Sequence, residues 1–214
     1  MLRLLLVRHG ETAWNRDGRY QGQTDVPLSE MGLAQAQALA ERLAREKLDA
    51  IYSSDLQRAR QTAAAIAAPL GLAVRPDRRL RELCFGQWEG LTYRQVVERY
   101  PEARAFWETH DLYVAPPGGE SRMQMLARLQ QLLADIRQES PDQSVVLVAH
   151  GGPLKLLVCL AIGLAPSHYW QLRLDNASLS EICLYEEGGI LTLLNDRHHL
   201  AKLSAIGDQQ APSQ

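Results

Sequence analysis

Cysteine is scarce in this chain and scattered: Cys84, Cys159 and Cys183 are the three, and no two of them form a CxxC pair. An odd number at such spacing argues against a disulfide framework and suits a reducing compartment. Charge of one sign is also lacking. With a net charge of −2 at pH 7, no overall positive field draws the chain to nucleic acid or to an anionic membrane. Long hydrophobic runs are missing as well. The longest apolar stretch, 154–164, contains Lys155 and is too short to span a bilayer. The apolar residues 1–7 run straight into Arg8, His9 and Glu11 with no small-residue cleavage site, which argues against a signal peptide. Internal repeats and interdomain linkers are absent too. The expectation left by these absences is a cytoplasmic globular protein.

What is there reads as one folded unit. Hydrophobic residues make up 46% and charged residues 22% of 214 residues, the usage of a globular domain rather than a disordered chain. Residues 2–7 form a compact apolar run that predicts a buried strand. Ser29 then caps a predicted helix to residue 43. Short strands are expected over 49–52 and 73–75, with a helix over 56–70 between them that Pro69 interrupts and Gly71 ends. Residues 83–119 are irregular, rich in aromatics and closed by Pro116-Pro117-Gly118-Gly119, the mark of an insertion beside the core. A helix over 121–136, a strand over 144–149, a helix over 153–162 and a hairpin around Gly188-Gly189 follow. Alternating strands and helices predict an α/β protein: a three-layer α/β/α sandwich with a mostly parallel sheet, the insertion lying over the active site. A single domain is expected over 1–206 with a disordered tail over 207–214.

In open parallel sheets ligands bind beyond the carboxyl ends of the strands, so residues just after each strand come first. Arg8, His9, Gly10 and Glu11 follow the first strand, Ser53-Ser54 and then Arg58 the second, and His150-Gly151-Gly152 the strand over 144–149. Glu82 follows Leu80-Arg81. Two histidines, two arginines and a carboxylic acid therefore fall on one side of the predicted sheet. Guanidinium groups suit a phosphoryl dianion because their planar forks donate two hydrogen bonds at once. A neutral imidazole is a nucleophile that splits one hard displacement into two, and cations beside it favour the neutral form. A second histidine can donate to oxygens as charge develops, and a carboxylic acid can protonate the leaving alkoxide.

These residues stand in motifs that resemble the histidine phosphatase superfamily, which includes the cofactor-dependent phosphoglycerate mutases. The resemblance rests on Leu6-Val7-Arg8-His9-Gly10-Glu11-Thr12 with Asn15, on Tyr20-Gln21-Gly22, and on Ser53-Ser54-Asp55-Leu56 with Arg58-Ala59. Arg81-Glu82-Leu83, Phe85-Gly86 with Trp88-Glu89-Gly90, Gly118-Gly119-Glu120-Ser121 and Val148-Ala149-His150-Gly151-Gly152 complete it in family order. It implies His9 as nucleophile, Arg8, Arg58 and His150 around the phosphoryl group, and Glu82 as proton donor. Asn15 and Gln21 resemble further phosphate contacts, with Gly22 and Gly151 counted among the substrate-binding positions. It also implies the α/β/α fold and no metal or other cofactor.

Within the superfamily, Glu82-Leu83-Cys84-Phe85-Gly86 stands where mutases carry Glu-Arg-His-Tyr-Gly, and Tyr93 where they carry a lysine. No adjacent arginine pair occurs before Gly118. Missing these cations, the chain is expected to be a phosphomonoesterase resembling the α-ribazole and broad-specificity phosphatases. A phosphoglycerate mutase is the alternative, and a non-catalytic phosphate-binding module a further one. The expected partner is a small phosphorylated metabolite, with room for a homodimer and no role for nucleic acid or membrane. The remaining features are expected to be structural. Arg75, Arg78, Arg79 and Arg81 form a solvated basic loop, and Met123 and Met125 fill packing gaps. His110, His168 and the His198-His199 pair lack metal-ligand spacing. Trp170 and Arg173 lie near the hairpin, where one of them borders the pocket at most.

Overall fold

Strand β1 (Leu2–Arg8) is buried along almost its whole length, because successive side chains point to opposite faces of a sheet covered on both sides. Leu4 and Leu6 enter one apolar core while Leu5 and Val7 enter the other. The computed structural model describes residues 1–109 and 111–203; the expected tail over 207–214 and His110 lie outside the described residues. Five more strands join β1: β2 (Ala50–Ser53), β3 (Val74–Pro76), β4 (Ser144–Ala149), β5 (Leu179–Leu184) and β6 (Gly189–Asp196). Their order is β3-β2-β4-β1-β5-β6. The first four are parallel, and the β5–β6 hairpin closes one edge antiparallel. This is the mostly parallel α/β sheet that the alternation of elements predicts.

Helices α2 (Glu30–Leu43) and α3 (Gln57–Ala67) cover one face through Leu39, Leu43, Ala59, Ala63 and Ile66. The other face packs under α6 (Arg122–Glu139) and α7 (Gly151–Ile162), joined by Trp88, Val96 and Phe106 of the insertion. A short helix α1 (Ala13–Arg16) follows the β1 loop, and the insertion carries α4 (Tyr93–Arg99) and α5 (Arg104–Glu108). Element ends differ modestly from the sequence expectation. Helix α3 stops at Ala67, where Pro69 forces a 3₁₀ turn that Gly71 closes at φ 64°. Helix α7 begins at Gly151, so Pro153 occupies the first turn, where its missing N–H leaves no bond unmade. Among the described residues no helix is long and apolar enough to cross a membrane.

Candidate active site

The chain turns sharply after β1, and several elements fix that turn. Gly10 N donates to Thr62 Oγ1 at 3.1 Å, and Glu11 N donates to Gln35 Oε1 at 2.8 Å. Ser29, the N-cap of α2, donates to the Glu11 carboxylate at 2.9 Å. A Cβ on Gly10 would strike the backbone of Gly32, so the loop can lie this close to α2 only because both positions are glycine. Asn176, just before β5, donates to the carbonyls of His9 at 3.2 Å and Gly10 at 3.4 Å. His9 itself is 3% exposed. Its Nδ1 lies 2.7 Å from the Gly10 carbonyl. A carbonyl only accepts, so Nδ1 carries the proton and the Nε2 lone pair is left without a partner among the described residues. Burial, then the guanidiniums of Arg58 and Arg8, hold this imidazole well below the usual histidine range, which keeps it neutral.

Arg58 lies on the buried face of α3 and is wholly enclosed. Its two terminal nitrogens donate to the carbonyls of Thr24 at 2.9 Å and Gly22 at 2.7 Å, and its Nε donates to His150 Nδ1 at 3.2 Å. Burial lowers its pKa to about 10, still charged at neutral pH. Because Arg58 donates to Nδ1, the His150 proton sits on Nε2, which faces Ser54 Oγ at 2.9 Å. The His9 and His150 rings are 5.0 Å apart. Both His150 nitrogens are therefore engaged by protein groups, and His150 backs Arg58 rather than lining the cavity in front of His9. Burial and Arg58 also hold its pKa well below the usual range.

That cavity, of about 210 Å³, is lined by Arg8, His9, Asn15, Gln21, Gly22 and Arg58, with Arg19, Tyr20, Glu82 and Phe85. The Asn15 amide oxygen accepts from Thr12 N, Thr12 Oγ1 and Asn176 Nδ2, which fixes the amide so that its NH2 is the free end. Arg8 donates to the Leu174 carbonyl at 2.6 Å, while its Nε and Gln21 Oε1 are buried without a protein partner. Unpartnered buried polar atoms are uncommon, and these two belong to residues that line one cavity. Gly22 sits at φ 54°, and a Cβ there would collide with Glu89. The Glu89 carboxylate takes four hydrogen bonds, from Gln23 N, Phe85 N, Thr24 N and Thr24 Oγ1, and so pins the loop whose carbonyls orient Arg58.

Glu82 stands at the boundary with a second cavity of about 260 Å³, which Arg8 and Phe85 also share. Its carboxylate accepts from Leu83 N at 2.9 Å and from Gly152 N, at the start of α7, at 3.2 Å. Gln23 and Arg128 donate to its backbone carbonyl. Gly151 lines the second cavity beside the Arg8 guanidinium. So do Arg122 and Lys155. The insertion has no adjacent arginine pair and carries Tyr93 where mutases have lysine, as the sequence indicates, but α6 and α7 bring two other cations to the site. Sequence reasoning missed Arg19, Asn176, Arg122 and Lys155. Arg122 and Lys155 were visible as charges on the otherwise apolar faces of their helices.

The remaining expectations divide. Trp88 and Phe106 are buried in an aromatic cluster of which Phe106, Phe85 and Trp107 line the second cavity, so packing and lining are shared. Met125 is buried and also lines that cavity. Arg79 pairs with Asp77 and Asp135, and Arg81 grips Asp55 through two bonds of 2.7 and 2.6 Å, so the basic run is paired more than solvated. Arg78, beside Asp55, and Arg75, which donates to the Tyr52 hydroxyl, are the exposed members of it. Trp170 and Arg173 stay outside both cavities, whereas their neighbours Tyr169 and Leu174 line the second.

A nucleophile-competent histidine, enclosing arginines and a carboxylate at the C-terminal edge of a parallel sheet define a phosphoryl-binding α/β protein. Residues 4–197 match the model of the histidine phosphatase superfamily, branch 1, and the chain belongs to that family. Phosphoserine phosphatase 1 of Hydrogenobacter thermophilus is 40% identical over 202 residues, 94% of this chain and 96% of that protein. The metal-independent phosphoserine phosphatase of Arabidopsis thaliana is 39% identical over 209 residues, 95% of this chain and 85% of that protein. A phosphoserine phosphatase mutant of Entamoeba histolytica, solved in complex with phosphoserine, superimposes with a TM-score of 0.84 at 30% identity, covering 94% of this chain and all of that one.

Proposed function

We propose that this chain is a metal-independent phosphomonoesterase that passes the phosphoryl group of a small phosphorylated metabolite to His9 Nε2 and then to water. One observation carries the reading: His9 is neutral and held with its Nε2 lone pair free, in a cavity walled by Arg8 and Arg58. In the first step the lone pair attacks phosphorus, the N–P bond forms and the P–O ester bond breaks. Glu82, lying between the two cavities, gives its proton to the departing alkoxide. In the second step the Glu82 carboxylate takes a proton from water, whose oxygen attacks phosphorus. The N–P electron pair returns to Nε2 and inorganic phosphate leaves.

Arg8, Arg58 and the free Asn15 amide meet the non-bridging oxygens, with Gln21 beside them. His150 acts through Arg58, which it orients. A direct donation from His150 to the phosphoryl group needs a second proton on its ring, which the guanidiniums oppose until a dianion offsets them. The alcohol half of the substrate occupies the second cavity. Phosphoserine, the substrate in the names of the relatives, is the first candidate. Three free cysteines accord with a cytoplasmic setting.

The test is turnover of p-nitrophenyl phosphate in excess EDTA, at mildly acidic to neutral pH. The wild type retains its rate with chelator, and His9→Ala loses at least about 10³-fold in kcat while remaining folded. Abolition by EDTA, or a tenth of the activity left in His9→Ala, overturns the reading.

A further inference from the structure

The second cavity holds more positive charge than the protein neutralises. Arg8, Arg122 and Lys155 line it, with Glu82 the carboxylic acid among the lining residues and Asp175 acting on Arg8 and Lys155 from outside the lining. None of the three cations forms an ion pair with a carboxylate among the described residues. Arg122 is 2% exposed and lies 3.5 Å over the Phe106 ring. Its hydrogen bonds go to neutral oxygens: the Tyr169 hydroxyl at 2.6 Å and the carbonyls of Asp111 at 3.1 Å and Phe106 at 3.0 Å. Those contacts staple the insertion to α6 and explain why Arg122 is there, but they leave its charge uncompensated.

Lys155 has no such structural explanation. It is the one charge on α7, a helix otherwise apolar from Pro153 to its end, and it is half-buried. No hydrogen bond or ion pair holds its ammonium among the described residues. Burial, then the nearby Arg8, lower its pKa, and Glu82 and Asp175 offset this only in part. Burying a charge unpaired is costly, so a site that gathers three of them with one carboxylate in its lining is arranged for an anion from outside.

Its position says which anion. Arg8, Glu82 and Phe85 belong to both cavities, so an ester whose phosphoryl group faces His9 places its alcohol carbon among Leu83, Met125 and Lys155. The cavity is only about 260 Å³ and partly walled by aromatic rings, which suits a short chain rather than a second phosphate with its own hydration. Resting on the phosphomonoesterase reading above, we infer that Lys155 is a specificity-determining residue that binds a carboxylate of the leaving group. The substrates are then phosphate esters of small hydroxy acids.

The experiment compares esters that differ only in that group. Phosphoserine is set against phosphoethanolamine, and 3-phosphoglycerate against glycerol 3-phosphate, by kcat/KM in the full chain. The second pair lacks an amine and so separates carboxylate from amine recognition. The wild type prefers the carboxylated member of both pairs by at least about tenfold. In Lys155→Met, which keeps the length and apolar stem, each ratio collapses to within about threefold of unity, and Lys155→Arg restores part of it. Equal kcat/KM within both pairs in the wild type overturns the inference while leaving the phosphomonoesterase intact, and so does a ratio that survives in Lys155→Met. Failure to hydrolyse any of the four esters or p-nitrophenyl phosphate overturns the parent reading and this one together.

Discussion

Asn176 is not among the residues lining the cavity in front of His9, yet its single amide reaches three of the atoms that shape it: the carbonyls of His9 and Gly10, and the Asn15 oxygen. Removing it frees the His9 loop on one side and takes away one of the three bonds that hold the Asn15 amide oxygen. Asn176→Ala is expected to lower kcat/KM by roughly 10- to 100-fold, since misplacing a reacting group by about 1 Å costs that much. A melting temperature within a few degrees of the wild type, measured alongside, separates this from unfolding; unchanged kinetics would remove Asn176 from the positioning network. At this scale the sequence is legible where a residue type is unusual for its place. Arg58 shares the α3 stripe with Ala59, Thr62, Ala63 and Ile66, and Lys155 interrupts the apolar run of α7. Read against a bilayer, Lys155 only argues against a membrane span; read against the helix face, it marks a site. Asn176 gives no such signal, because its role depends on two loops far apart in sequence that meet only in the fold.

Helix α7 begins where β4 ends, and its first turn is shaped by the carboxylate it meets. Gly152 N donates to Glu82, and a Cβ at 152 would collide with Glu82 Oε1. Gly152→Ala should therefore displace Glu82, although alanine is the better helix former by about 1 kcal/mol. The expected result is a loss of about 100-fold or more in kcat for alkyl phosphates, which need a proton on the leaving oxygen. The loss is much smaller for p-nitrophenyl phosphate, whose leaving group needs none. Equal losses on both would contradict the assignment of Glu82. The elements themselves were largely readable. The 2–7 run, the Ser29 cap and the Gly188-Gly189 turn each announce a strand, a helix start and a hairpin, and these appear with shifts of a few residues. The insertion was legible only as irregular, because α4 and α5 are too short to stand on periodicity and gain their stability by packing Val96 and Phe106 on the core.

Across the whole molecule, the site sets how stability responds to pH. His9 and His150 are both buried and both hold pKa values well below the usual range, chiefly through burial and then through Arg58. The unfolded chain takes up these protons near pH 6.5, whereas the folded chain resists. Stability is thus fully present above about pH 6.5 and falls as pH drops below it, by up to about 1.4 kcal/mol per pH unit for each imidazole. Urea titrations at pH 7.5 and 5.5 check this, and stability that holds or rises at the lower pH would contradict a neutral, enclosed pair.

Everything proposed for the reaction passes through a bond between phosphorus and His9 Nε2. Rapid quench of the enzyme with excess phosphoserine, followed by peptide mass spectrometry under alkaline conditions, looks for that bond directly. The account predicts an acid-labile phosphoryl group on the peptide carrying His9, formed within one turnover and absent from His9→Ala. A phosphoryl group on another residue, or steady turnover with none on the enzyme and no burst, would contradict it.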